Sequence, residues 1–138
     1  MLDNVPKDPL ERARFYANIF AEGSKNKGWD AAITREHVTL TSASLIPLPR
    51  VTARFTVVSS LCNGMGTLHG GATATIFDFV TSMPLTLKSE KGSWEFPGVS
   101  RTLNVTYLDK ASNGQELEIE AEAVKIGKRL GRFDEVPK

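Results

Sequence analysis

Cysteine is nearly absent from this sequence. Cys62 is the only one, so no disulfide can form within the chain, and a reducing compartment is permitted. Histidine is scarce too, and the two present, His37 and His69, show no metal-ligand spacing. An excess of either charge is missing: 17 basic against 16 acidic residues leave a net +1. Such a balance gives no general attraction to nucleic acid or to an anionic membrane. No apolar run approaches the roughly 20 residues of a membrane-spanning helix. Residues 1–14 carry acids early and lack an apolar core, so no secretory signal is expected, and a mitochondrial presequence would be poorer in acids. A cytoplasmic or mitochondrial location is the expectation.

What remains is ordinary globular material, 138 residues with 41% hydrophobic and 24% charged side chains, enough for one domain. Residues 8–22 predict an amphipathic helix, with Asp8 as N-cap, Pro9 at the first helical position and Glu11 at capping-box spacing. Phe15, Ile19 and Phe20 would form its docking stripe, and residues 23–28 break the pattern. Loose alternation over 31–43 predicts a strand, ended by Pro47 and Pro49. Residues 50–61 predict a stronger one, with Val51, Ala53, Phe55 and Val57 on one face. Residues 99–107 alternate again. Residues 116–126 alternate most clearly, with Leu117, Ile119, Ala121 and Ala123 on one side and four glutamates on the other.

Between these strands lies the stretch 63–87. A glycine-rich loop, Asn63-Gly64-Met65-Gly66-Thr67-Leu68, leads through His69-Gly70-Gly71 into a helix that is apolar nearly all round. Such a helix is expected to be buried, and Pro84 should kink or end it near Met83. One acid, Asp78, sits in its middle between Phe77 and Phe79. Seven residues beyond Gly71, it returns to nearly the same helix face two turns along. An unpaired buried carboxylate is costly, so Asp78 needs a reason to be there. The order of helix, two strands, central helix and two strands predicts an α+β fold, an antiparallel sheet wrapped around one helix.

The run from Asn63 through Gly66-Thr67-Leu68-His69-Gly70-Gly71 to Asp78 resembles the signature of hotdog-fold acyl-CoA thioesterases. The likeness is to the PaaI-like group that includes thioesterase superfamily member 2 (acyl-CoA thioesterase 13). Trp29, Pro97-Gly98-Val99-Ser100, Asn104-Val105-Thr106-Tyr107 and Gly127-Lys128-Arg129-Leu130 extend the resemblance to roughly residues 10–131. It implies hydrolysis of acyl-CoA to free acid and coenzyme A without a metal or redox cofactor. The backbone N–H of Gly70 would polarise the acyl carbonyl at the helix start. Asp78 would be the general base or nucleophile, reaching across the interface of a homodimer or homotetramer. Asn63 and Ser100 would position water or substrate, His69 would support the helix start, and Gly71, Lys128 and Arg129 would contact substrate, the last two at coenzyme A phosphates.

Each residue also has a plainer explanation. Asn63-Gly64 makes a turn, His69 caps a helix, Gly71 packs, Ser100 is one serine in a strand, and a basic turn is solvated. Members of the group continue beyond the turn at 127–130 with two more strands. Here the domain is expected to divide into an N-terminal helix and linker (1–30), a hotdog core (31–131) lacking that pair, and a short polar tail (132–138). The shortened sheet keeps a second possibility open, a non-catalytic subunit that binds acyl-CoA or joins a full-length homologue. Dehydration of a hydroxyacyl thioester, the third, would ask for a leading histidine.

Overall fold

The computed structural model describes residues 4–22, 28–96 and 98–135, so most of the expected break at 23–28 lies outside the described residues, as do Pro97 and 136–138. Helix α1 (Pro9–Glu22) starts as its sequence requires: Asp8 Oδ1 accepts from the N–H of Glu11 at 2.9 Å. Glu11 turns away from the cap and pairs with Arg14 on the exposed surface at 2.9 Å. The docking face is made by Ala13 and Tyr16, both buried, while Phe15 and Ile19 are only half-buried. Small Ala13 lets α1 approach closely beside the Tyr16 ring; the side chain of Phe20, the third expected contact, lies outside the described residues.

Helix α2 (Ala31–His37) and strand β1 (Val38–Ser44) occupy the stretch expected to be one strand. The alanines, Arg35 and Glu36 favour a helical turn, in which Ile33 and Thr34 are the buried residues. Thr34 satisfies its hydroxyl on the Asp30 carbonyl at 3.1 Å. Strand β2 (Arg50–Thr56) follows the Pro47–Pro49 turn, with Val51, Ala53 and Phe55 buried as their alternation predicts.

Helix α3 (Gly70–Thr86) runs across the sheet. Ile76, Val80 and Met83 are buried at three- and four-residue spacing against Val51, Ala53 and Phe55 of β2 and against Ile119 and Ala121, and Ala72 is buried one turn earlier. The opposite face is not encased: Thr75, Phe77, Asp78 and Phe79 are half-buried, because one sheet covers one side of a cylinder. Pro84 lies inside α3 and does not end it at Met83. Its position in the last turn limits the loss to one carbonyl partner. Arg12 of α1 satisfies two others beyond it, donating from Nε to the Thr86 carbonyl at 3.0 Å and from Nη2 to that of Ser89.

Strand β3 (Glu116–Ile126) and strand β4 (Gly131–Glu135) complete an antiparallel sheet in the order β1-β2-β3-β4. Residues 132–135, expected to begin a polar tail, thus form a strand with Gly131. Gly127 N–H donates to the Leu130 carbonyl at 2.8 Å, closing the turn. Phe133 then faces Ala123 across the ladder while Arg132 and Asp134 point to solvent, a period-two pattern within only five residues. The expected strand at 99–107 forms no ladder. Its alternation is present, but no described strand lies alongside to take its hydrogen bonds, and Val99 and Tyr107 are 90% and 56% exposed. Among the described residues, no helix is long and apolar enough to cross a membrane.

Candidate active site

The loop at 63–68 is built around Asn63. Its Oδ1 accepts from the N–H groups of Met65 at 2.9 Å and Thr67 at 3.3 Å, while Nδ2 donates to Thr67 Oγ1 at 2.9 Å. The backbone closes the same turn, with Asn63 N–H on the Thr67 carbonyl at 2.8 Å. Gly66 sits at φ +74°, a left-handed conformation that a side chain would strain. Leu68 N–H donates to Ala111 at 2.8 Å. This compact turn therefore delivers the chain to the start of α3 in one fixed direction. Asn63 spends its amide on the loop, not on the space beyond it.

His69 is the N-cap of α3, and its Nδ1 accepts from Gly71 N–H at 2.9 Å. In the neutral ring the proton then resides on Nε2. With the Gly71 amide taken, the N–H of Gly70 is left at the first helical position, where no intrahelical acceptor exists. Among the described residues nothing accepts from it. Tyr107 donates its hydroxyl to the Gly70 carbonyl at 2.9 Å, and its ring lies where a Cβ on Gly70 would find it at 3.5 Å. Gly70 and Tyr107 open onto a cavity of about 670 Å³ with apolar walls from Leu68, Ile76, Phe77 and Leu117.

Asp78 belongs to a second cluster. Its Oδ1 accepts from the hydroxyl of Ser100, which brings two of the sequence-selected residues into contact. Oδ2 takes no described donor. Asp78 does not line the 670 Å³ cavity. Eight residues along α3 at ~1.5 Å each place it ~12 Å from Gly70. One chain therefore holds a backbone donor and a carboxylate that are too far apart to meet on the same small group.

Lys128 and Arg129 fall in neither cluster. They are exposed at the β3–β4 turn and line a separate cleft of about 410 Å³ with Lys125 and Arg132. Leu117 lies beside Gly70 in the larger cavity, and the nine steps of β3 from there to Ile126 span ~30 Å. The turn is thus at the far end of the sheet from Gly70. Tyr107 is the residue that sequence reasoning passed over. It stood within a matched motif, but nothing in a spacing of 37 residues signals a contact with Gly70.

The family model described as "Thioesterase superfamily" matches residues 65–134. The mouse protein named acyl-coenzyme A thioesterase 13 is 39% identical over 77% of this chain and 69% of its own length. This chain belongs to the thioesterase superfamily. The human acyl-coenzyme A thioesterase 13 is 40% identical over 67% of the chain, a match that spans 61% of the human protein. The crystal structure of zebra fish thioesterase superfamily member 2 superposes with a TM-score of 0.69 at 32% identity, covering 88% of this chain and 80% of that one. The four-stranded antiparallel sheet with its central helix is accordingly a thioesterase hotdog fold.

Proposed function

We propose that the chain hydrolyses acyl-CoA thioesters at a site built by two copies, the Gly70 half from one and the Asp78 half from the other. The observation that carries this is the ~12 Å of α3 between an amide with no acceptor among the described residues and a carboxylate held by Ser100. Both are chemically apt, and only a second helix start can bring them together. The curated relatives' names support the substrate class.

The Gly70 N–H, at the positive end of α3, donates to the thioester carbonyl oxygen as charge develops there. Glycine lets the acyl group approach the backbone closely. The acyl chain enters the apolar cavity beside Gly70. Asp78 takes a proton from water through Oδ2 while Ser100 holds Oδ1. The water oxygen bonds to the carbonyl carbon, the C–S bond breaks, and coenzyme A leaves as the thiol with the proton returned from Asp78. Asn63 and His69 act indirectly, by fixing the loop and the helix start. Lys128 and Arg129, if they meet coenzyme A phosphates, do so at a site whose Gly70 belongs to another subunit, because their own is ~30 Å away.

Mixing two inactive variants tests the shared site. Gly70→Pro removes the N–H while suiting the first helical position, and Asp78→Asn removes the base. Unfolded and refolded together in equal amounts, they are expected to recover roughly a quarter of the wild-type release of coenzyme A, as a twofold dimer with one intact site requires. No recovery from folded mixed oligomers would exclude sharing. No release by the wild type from any acyl-CoA would exclude the activity.

A further inference from the structure

We propose that Tyr107 is a positioning residue for the oxyanion donor, acting as one jaw of a clamp on the peptide that joins Gly70 to Gly71. The inference deepens the hydrolytic role proposed for Gly70 and rests on it. That peptide unit consists of the Gly70 carbonyl and the Gly71 N–H. The hydroxyl of Tyr107 donates to the first at 2.9 Å, and Nδ1 of His69 accepts from the second at 2.9 Å. A peptide is planar, so fixing its oxygen on one side and its N–H on the other fixes the tilt of the plane about α3. The Gly70 Cα is the hinge between that plane and the one before it, and Gly70 has no side chain of its own to hold either. Its N–H belongs to the neighbouring His69–Gly70 peptide, whose carbonyl accepts from the Thr73 N–H at 3.0 Å. The clamp acts on the donor by fixing the rotation about Gly70 that joins the two planes, through a histidine preceding the helix and a tyrosine 37 residues away.

The position of Tyr107 suits a fastener better than a core side chain. It is 56% exposed and belongs to the stretch 99–107, which has no ladder hydrogen bonds among the described residues. Burial therefore does not account for its placement, whereas the hydroxyl contact does. Ser100, seven residues earlier, makes the corresponding contact with Asp78. One extended segment thus touches α3 at both chemically active points, its serine at the carboxylate and its tyrosine at the amide donor. Tyr107 also lines the cavity beside Gly70, so its ring stands next to an acyl group as well as behind the donor.

Tyr107→Phe keeps the ring and removes the hydroxyl, and its exposure makes unfolding an insufficient explanation for any effect. The expected result is a kcat lowered roughly three- to tenfold, the worth of one net hydrogen bond, with KM for an acyl-CoA substrate unchanged and thermal unfolding within a few degrees of wild type. In ¹⁵N–¹H spectra of the full chain the Gly70 and Gly71 amide signals should shift, and Gly71 should exchange with solvent faster, while amides in β2 stay in place. Unchanged kcat with unchanged Gly70 and Gly71 signals would overturn the clamp. A rise in KM with kcat unchanged would also overturn it, since that is what a purely substrate-binding tyrosine would give. If the wild-type chain releases no coenzyme A, the hydrolytic role fails, and the clamp is then decided by the amide signals alone.

Discussion

The hydroxyl of Ser100 donates to Oδ1 of Asp78, tying an exposed loop residue to a helix residue 22 positions earlier in the chain. The contact restricts the carboxylate to one rotamer and reserves its other oxygen. Ser100→Ala should therefore lower kcat about tenfold, the scale of a hydrogen bond to a charged group, with little change in KM or unfolding midpoint. Steady-state kinetics on one acyl-CoA is sufficient. A change confined to KM would assign Ser100 to substrate binding instead.

Gly71 leaves no room for a side chain beside its cap. A Cβ there would stand 3.2 Å from His69 Nδ1, tighter than ordinary contact. Gly71→Ala should displace the imidazole and cost about 1 kcal/mol, the usual worth of an N-cap. His69→Ala should cost a similar amount. The two changes combined should cost less than their sum, because both remove the same hydrogen bond. Urea unfolding of the three variants reads this directly.

Arg12 closes the other end of α3 through the Thr86 and Ser89 carbonyls. Arg12→Met keeps most of the aliphatic stem and deletes the donors. It should destabilise by about 2 kcal/mol, given charge-assisted hydrogen bonds to the carbonyls of two buried residues, while leaving KM for acyl-CoA unchanged. Arg12→Lys should recover little, since a single ammonium does not reproduce a planar fork.

Leu117 lines the cavity beside Gly70 and is only half-buried, so a larger side chain can enter the open space instead of the core. Leu117→Trp should lower kcat/KM for long-chain acyl-CoA at least about tenfold relative to short-chain substrates. Equal effects at every chain length would move the acyl group out of this cavity.

Much of the fold was legible because burial and period agree. Val51, Ala53 and Phe55, and across the ladder Ile119, Ala121 and Ala123, were assigned to the core by alternation alone and are buried there. Failures came where local pattern and long-range partners diverge. Residues 99–107 alternate like a strand, yet a strand needs a neighbour. Residues 132–135 look like a solvated tail, yet Phe133 finds Ala123. Ile33 and Thr34 are β-branched, yet buried in a helical turn. At the site, residues close in sequence could be grouped from it, as His69, Gly70 and Gly71 were. The Tyr107–Gly70 contact depends on tertiary folding and has no local signature.

The ~12 Å of helix between Gly70 and Asp78 has a kinetic corollary under the two-copy proposal. A lone subunit carries both halves of the chemistry and can use neither with the other. Where the dimer is mostly dissociated, the rate should rise with the square of the chain's concentration. Only after association saturates should it become linear. Abundance would then act as a threshold, and a cell could silence the reaction by dilution alone, with no inhibitor and no change in any catalytic group.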